Sequence, residues 1–262
     1  MTSSYELRQS FLKKKIKLIL NFFGSKIIRK NSFLDRRNEF IVEAENNDLE
    51  MIKKFQESAL ATKLNLWSII QSIRYIYNNK IKGDFVECGV FRGGSLALLC
   101  FYAQKLNINY NIWGYDTFED GFLIDELSLF DKNQKNQYLN IKDFKNPKNF
   151  YYTKLQVYEN IKKFSIKDNF LPKLVKGNIM QTLLEEKNLP KAISFLRLDT
   201  DLYKTTKIQL EVLYPRLVSG GILHIDDYGA CSGVKKAVDE FFENHNIWLH
   251  RVDYTCRYLV KK

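Results

Sequence analysis

The sequence predicts an α/β protein in which a mostly parallel sheet carries helices on both faces. Three observations support this prediction. Short apolar segments alternate with amphipathic helical segments from residue 84 onward, and several of the apolar segments end at glycine or aspartate. The last two apolar segments are too close together for a crossover helix between them, so they are expected to form an antiparallel hairpin.

The predicted strands are short segments rich in β-branched and aromatic residues. In chain order they cover 84–88, 111–115, 173–176, 192–198, 221–225, 248–254 and 257–260. The predicted helices repeat apolar residues every three or four positions. In chain order they cover 62–78, 95–106, 153–164, 205–217 and 233–245. A helix between successive strands is typical of parallel crossover connections.

The composition excludes several classes of protein. Hydrophobic residues make up 45% and charged residues 27% of the 262-residue chain, which is ordinary for a globular protein with a core. The four cysteines stand singly, which argues against a zinc ribbon and against a disulfide scaffold. The longest apolar run, 96–103, is too short to span a bilayer, and no secretion signal opens the chain. A cytoplasmic location is therefore expected.

Positive charge is concentrated at the N-terminus. Residues 1–40 carry a net charge of +7, out of +11 for the whole chain. The rest of the chain is nearly neutral, so no nucleic-acid partner is expected. Apolar residues also repeat with helical spacing in this region, at Leu12, Ile16, Ile19, Leu20, Phe23 and Ile27.

Two interpretations of this N-terminal region stay open. A basic amphipathic helix can lie on an anionic membrane, here the inner face of the cell membrane. It can also pack on the body of the protein or on a second copy in a homo-oligomer. We therefore predict a basic arm at 1–50 and one domain at 51–262. The irregular stretch 119–152 within that domain is predicted to be a lid over the substrate.

A glycine-rich turn follows the first predicted strand. Gly89, Gly93 and Gly94 free the backbone for a sharp turn and a close approach to a ligand. Their spacing matches neither the dinucleotide fingerprint nor a Walker phosphate loop, which argues against an NAD oxidoreductase. Asp116 ends the second strand, 27 residues after Gly89, where an acid can bind the ribose hydroxyls of a nucleoside. The alternatives are a structural turn and an aspartate that only caps it.

Acidic residues follow two later strands. Asp199 and Asp201 come after the fourth strand, and Asp226 and Asp227 come after the fifth. If these strands are neighbours, the carboxylates converge and are expected to bind a cation, because clustered anions repel. Oxygen ligands favour Mg2+, Mn2+ or Ca2+ over Zn2+. The alternative is a set of solvated loop acids. His224, within the fifth strand, is interpreted as a buried residue with a polar partner.

These motifs together resemble the macrocin O-methyltransferase family, whose members use S-adenosylmethionine and Mg2+ to methylate sugar hydroxyls. The segments that carry the resemblance are GDFVECGVFRGGS, GYDTFEDG, LVKGNI, FLRLDTDLYKTTKIQLEVLYPRLVSGGILHIDDYG and GVKKAVDEFF. The resemblance runs from about residue 58 to 245. The resemblance implies a Rossmann-like methyltransferase fold with seven strands. It also implies a small-molecule or glycan acceptor.

The resemblance also implies roles for particular residues. For S-adenosylmethionine, the matching positions are Glu87, Gly89, Gly93 and Ser95 at the methionine and ribose end, Asp116 at the ribose and Asn178 near the adenine. For Mg2+ or Mn2+, they are Asp199, Asp226 and Asp227.

The sequence departs from the family at one catalytic position. The family's sugar methyltransferases use a histidine in the lid, and residues 119–171 contain none. The candidates for the missing base are Asp201, Lys204 and a proton-transfer path through the metal. Together with Asp201 and Lys204, Asp199 is predicted to be a catalytic residue. Two rival functions stay open: a metal-independent methyltransferase, and a glycan-assembly binding protein that has lost catalysis.

Overall fold

A computed structural model of the protein describes residues 41–120, 128–132, 152–166 and 170–262. The amphipathic segment predicted within the arm lies outside the described residues, as does most of the predicted lid. Within the described part of the chain, no helix is long and apolar enough to span a membrane.

The sheet has seven strands in the order β3-β2-β1-β4-β5-β7-β6. The strands are β1 (Asp84–Cys88), β2 (Ile112–Asp116), β3 (Lys173–Lys176), β4 (Ile193–Leu198), β5 (Leu217–Ile225), β6 (His250–Arg251) and β7 (Arg257–Val260). Strands β1 to β5 are parallel to their neighbours, whereas β7 is antiparallel to both β5 and β6. The predicted seven-stranded α/β fold with a C-terminal antiparallel hairpin is confirmed.

Eight α-helices lie in the described residues. They are α1 (Asn46–Gln56), α2 (Lys63–Asn78), α3 (Gly94–Lys105), α4 (Leu129–Lys132), α5 (Lys154–Lys162), α6 (Ile179–Thr182), α7 (Tyr203–Leu213) and α8 (Ser232–Phe242). Helices α1, α2, α3 and α5 cover one face of the sheet, and α6, α7 and α8 cover the other. Consecutive strand residues alternate between the two apolar cores, as Phe85 and Val86 do, because side chains on a strand point to opposite faces.

Helix α1 spans the predicted boundary between arm and domain at residue 50. It buries Met51, Ile52 and Phe55 in the core that α2 and α3 share. Its buried Asp48 pairs with Arg74 of α2 at 2.9 Å. This helix therefore belongs to the packed body, and the boundary at residue 50 stays a prediction.

Several element ends differ from the predicted ones. Helix α7 ends at Leu213, four residues early, and a 3-10 turn with Pro215 follows it. Strand β5 begins at Leu217 and passes through Gly220 and Gly221, with a register irregularity against β4. Strand β6 is only two residues long, because Asp253 binds the backbone amides of Thr255 and Cys256 and so turns the chain.

Candidate active site

The topology brings the predicted functional loops to one edge of the sheet. The chain runs from β1 to β2 on one side and from β4 to β5 on the other, so a crevice forms beyond the carboxyl ends of β1 and β4, which are neighbours. Backbone hydrogen bonds hold the loops together there. Asp199 N–H donates to Cys88 O at 2.8 Å, and Asp226 N–H donates to Leu198 O at 2.9 Å.

The turn after β1 requires glycine at two positions. Gly89 has φ +87°, and a Cβ atom there would lie 1.8 Å from the carbonyl oxygen of Asp199. Gly93 has φ +84°, and a Cβ atom there would lie 2.9 Å from Val157. Gly89 therefore lets the turn pack directly against the loop after β4, and Gly93 lets it pack against α5. The contact at Gly89 places the predicted cofactor turn beside the acidic residues.

Asp116 binds the backbone of this glycine turn. Its Oδ2 accepts the amides of Val90 at 2.6 Å and Phe91 at 3.0 Å, and its Oδ1 accepts the amide of Phe118 at 2.7 Å. Burial raises the pKa of Asp116, and these amide hydrogen bonds oppose the rise. The side chain thus caps the turn, as the structural alternative expected. A bond from Asp116 to a ribose stays a prediction.

We expect Asp116→Ala to weaken both the fold and cofactor binding. Three backbone amides lose their acceptor, so the free energy of unfolding should fall by about 1–3 kcal/mol. Affinity for S-adenosylmethionine should fall by a similar amount, because the turn and the acid both face the predicted ribose site. Denaturant unfolding and calorimetry measure the two effects. Asp116→Asn, which keeps one acceptor oxygen, is the control and should lose less. Unchanged cofactor affinity in Asp116→Ala would remove this residue from the site.

The acidic residues after β4 and β5 lie together, as predicted. Carboxylate oxygens of Asp199, Asp226 and Asp227 all lie within 4.8 Å of one another. Asp201 has φ +62°, and its N–H donates to Asp227 Oδ2 at 3.3 Å. Burial raises the pKa of Asp226 and Asp227, and repulsion from neighbouring acids adds to the rise.

A buried arginine that the sequence analysis missed binds this cluster. Arg197 is 1% exposed in β4. Its Nη1 donates to Glu87 Oε1 at 2.8 Å and to Asp199 Oδ2 at 2.5 Å, and its Nη2 donates to Asp226 Oδ2 at 2.8 Å. Asp199 and Asp226 therefore have a positively charged protein partner, whereas the sequence analysis considered only a bound cation. The sequence feature that could have predicted this contact is an arginine within an otherwise apolar strand, two positions before Asp199.

Glu87 faces Arg197 across neighbouring strands. The two residues are register partners in β1 and β4, so their side chains share one face of the sheet. Burial raises the pKa of Glu87 to about 7, and the positive charge of Arg197 opposes the rise. The Oε2 atom of Glu87 is buried and has no hydrogen-bond partner among the described residues. Whether that oxygen meets the cofactor stays a prediction.

The composition of this cluster fits a hard divalent cation. The guanidinium of Arg197 pairs with the carboxylates of Glu87, Asp199 and Asp226. Asp227 brings a fourth carboxylate, which lies close to Asp199 and Asp226. This excess of negative charge can be balanced by a cation, and carboxylate oxygens are the ligands that Mg2+ and Mn2+ prefer.

The other predicted residues lie around this edge. Ser95 is buried in the first turn of α3, close to Gly93. Asn178 follows β3, and its Oδ1 accepts the amide of Met180 at 2.8 Å, which caps α6. Lys204 is the second residue of α7, which begins just after Asp201. The functional roles of these three residues stay predictions.

His224 is buried between polar partners, as interpreted from the sequence. Its Nε2 lies 2.8 Å from Ser68 Oγ of α2, and Cys256 Sγ lies 3.2 Å from the same nitrogen. Burial lowers the pKa of His224 well below its usual value, and nearby Arg197 lowers it further. The ring is therefore neutral at physiological pH.

The strand order and the two layers of helices form a Rossmann-like fold of the kind found in methyltransferases. The chain aligns with the structure of the O-methyltransferase NovP with a TM-score of 0.70 and 24% identity, over 78% of this chain and 82% of that one. It aligns with the calicheamicin methyltransferase CalS11 with a TM-score of 0.62 and 19% identity, over 89% and 99% of the two chains. These likenesses show the fold.

The sequence model of the Macrocin-O-methyltransferase (TylF) family matches residues 45–261. The chain belongs to this family, which confirms the resemblance.

Two curated relatives are similar over part of their length. Demethyldecarbamoylnovobiocin O-methyltransferase of Streptomyces niveus is 28% identical over 187 residues, 67% of this chain and 64% of the relative. 8-Demethyl-8-(2,3-dimethoxy-alpha-L-rhamnosyl)-tetracenomycin-C 4'-O-methyltransferase of Streptomyces olivaceus is 30% identical over 183 residues, 64% of this chain and 60% of the relative. The matched region thus spans less than two thirds of each relative.

Proposed function

We propose that the protein transfers a methyl group from S-adenosylmethionine to a hydroxyl of a sugar, with a divalent cation held by Asp199, Asp226 and Asp227. Membership of the macrocin-O-methyltransferase family supports the reaction class. The observation that carries the proposal is the convergence of three carboxylates within 4.8 Å, next to the point where the loop after β4 packs against the glycine turn. This arrangement puts a proposed cation site next to a proposed cofactor site.

The chain's own residues would position the methyl donor. The turn from Gly89 to Gly93, capped by Asp116, exposes backbone without a side chain at its two glycines. Glu87 lies at the end of β1 before this turn, Ser95 lies in the first turn of α3 after it, and Asn178 follows β3. Holding donor and acceptor in line supplies a large part of the acceleration of such a transfer.

The carboxylates would position the acceptor. When Mg2+ or Mn2+ is bound, it lowers the pKa of a coordinated hydroxyl and fixes its direction. Arg197 holds Asp199 and Asp226 in place through its ion pairs with both carboxylates. The carboxylate of Asp201 would accept the proton of the attacking hydroxyl. Burial and the neighbouring Asp199 raise the pKa of Asp201 to about 7, which suits a base at neutral pH.

Lys204 is the second candidate for a role in proton transfer, since it lies three residues after Asp201. Its amino group would stabilise the negative charge that develops on the acceptor oxygen as the proton leaves. The acceptor class that we propose is a glycan, a nucleotide sugar or a glycosylated natural product. Adjacent sugar hydroxyls offer the two oxygens that a cation on three carboxylates can accommodate.

Methyl transfer from labelled S-adenosylmethionine to a panel of nucleotide sugars and glycan extracts tests the proposal. We expect label in at least one sugar fraction, together with S-adenosylhomocysteine. Calorimetry with S-adenosylmethionine runs in parallel. Absence of both cofactor binding and transfer would overturn the proposal and favour a glycan-assembly binding protein. Transfer that is unaffected by a chelator would favour the metal-independent enzyme.

We further propose that the basic arm contacts the inner face of the cell membrane. The net charge of +7 in residues 1–40 and the apolar stripe from Leu12 to Ile27 support this contact. Deletion of residues 1–30 should abolish binding to anionic phospholipid vesicles and leave methyl transfer to a free acceptor intact. Vesicles of neutral lipid are the control. Vesicle binding that survives the deletion would contradict the proposal, and a changed mass in solution would favour a homo-oligomer contact.

A further inference from the structure

Asp226 is held by protein groups on both of its carboxylate oxygens. Arg197 Nη2 donates to Oδ2 at 2.8 Å. On the other side, Asn65 Nδ2 donates to Oδ1, and Thr255 Oγ1 lies 3.4 Å from the same oxygen. Asp226 is 5% exposed, so water has little access to this carboxylate. The direction in which its free lone pairs point is therefore fixed by these neighbours.

Asn65 is itself fixed by the start of α2. Its backbone N–H donates to Thr62 Oγ1 at 3.0 Å, which caps the helix. The Thr62 hydroxyl donates in turn to Asp253 Oδ2 at 2.5 Å. Asp253 also binds the turn between β6 and β7 through the amide of Thr255 at 2.8 Å. A helix start, a hairpin turn and Asp226, far apart in sequence, thus form one buried hydrogen-bonded unit.

The orientation of the Asn65 amide follows from its partner. Reversing the amide would place its oxygen against Asp226 Oδ1, and two hydrogen-bond acceptors repel each other when they lie this close together. In the orientation found, Asn65 Oδ1 is buried without a hydrogen-bond partner among the described residues, and the residue is 1% exposed. A buried amide that leaves its own acceptor unpaired while donating to Asp226 is better explained by a role at the carboxylate than by helix packing.

We infer that Asn65 is a positioning residue for the divalent-cation site. It acts through Asp226, by holding Oδ1 so that the carboxylate faces Asp199 and Asp227. The inference rests on the proposed function, in which these three carboxylates bind Mg2+. Groups that orient metal ligands contribute strongly to metal affinity even though they do not touch the ion.

Titration of Mg2+ into the full-length protein by calorimetry tests this role, with Asn65→Ala as the variant. We expect its dissociation constant for Mg2+ to rise about 10- to 100-fold. Affinity for S-adenosylmethionine should change less than about twofold, because the side-chain hydrogen bond of Asn65 goes to Asp226 and not to the glycine turn. The matched control is Ser72→Ala on the same helix, whose buried hydroxyl donates to Ser68 O at 2.7 Å and does not reach Asp226. Its Mg2+ affinity should match the wild type.

Melting temperatures of both variants separate positioning from stability. All titrations are made well below the lower melting temperature. If Asn65→Ala does not fold, Asn65→Ser, whose side chain is one bond shorter than asparagine, allows the same comparison. A variant that melts earlier but binds Mg2+ like the wild type would overturn the inference and leave the proposed function intact. A wild-type protein that binds neither Mg2+ nor Mn2+ would overturn the cation part of the proposed function, and this inference with it.

Discussion

Replacing Arg197 with methionine is expected to lower the free energy of unfolding by about 3–5 kcal/mol, the usual cost of removing one partner from a buried ion pair. Arg197 is 1% exposed and binds Glu87, Asp199 and Asp226 at once. Without the guanidinium, Glu87 and Asp226 stay buried with no positive partner recorded among the described residues. Urea unfolding of the two proteins measures the difference.

Arg216→Met is the matched control. Arg216 pairs with the exposed Glu186 at 3.3 Å, in a contact open to solvent. Exposed pairs of this kind contribute less than about 1 kcal/mol. Arg197→Lys should fall between the two, because an ammonium keeps the charge but cannot reach three carboxylates with a planar fork. Equal unfolding free energies for Arg197→Met and Arg216→Met would contradict the role assigned to the buried arginine.

Asp227→Asn is expected to lower methyl transfer by at least about 100-fold. Loss of a group that orients a metal ligand lowers metal affinity or activity by about 10- to 100-fold, and loss of the ligand itself should lower activity by more. Asp227 is one of three carboxylates within 4.8 Å of one another, and Arg197 does not pair with it. Among the three carboxylates, Asp227 is therefore the one that Arg197 does not neutralise. Affinity for S-adenosylmethionine should stay nearly constant, because Asp227 lies on the loop after β5 and the glycine turn follows β1.

Asp239→Asn is the control for this variant. Asp239 is an exposed aspartate on α8 that pairs with Lys235, so its loss removes the same charge without touching the cluster. Methyl transfer should stay close to the wild-type rate. Full transfer by Asp227→Asn would remove this residue from the cation site.

Asp201→Asn should slow transfer without weakening Mg2+ binding, if Asp201 is the base rather than a ligand.

The sequence predicts the architecture well because strands and helices carry different apolar periods. All seven strands and the antiparallel hairpin follow from segments such as Asp84–Cys88 and Arg257–Val260, whose predicted bounds match the structure. The meeting of Asp199 with Asp226 follows from strand adjacency, because the ends of parallel neighbours share one edge. Element ends set by a single contact, such as the turn that Asp253 makes, do not follow from periodicity.

The partners of the acidic cluster could not be predicted in the same way. Arg197 and Glu87 meet because β1 and β4 pair in one particular register, which the sequence of neither strand determines. Asn65 reaches Asp226 across 161 positions of sequence, from a helix whose pattern predicts only its apolar face. Asp116 was expected to bind a ribose, and in the structure it caps the turn. One carboxylate can serve both roles, and spacing alone cannot separate them.

The most direct test of the proposed cation-dependent methylation of a sugar is labelled methyl transfer by the wild-type protein before and after chelation. The acceptor is whichever sugar fraction takes up label. With EDTA present, we expect transfer to stop, and excess Mg2+ or Mn2+ should restore it. Zn2+ should restore it poorly, because the cluster of Asp199, Asp226 and Asp227 offers only oxygen ligands. Undiminished transfer in EDTA would contradict the account and support a metal-independent enzyme.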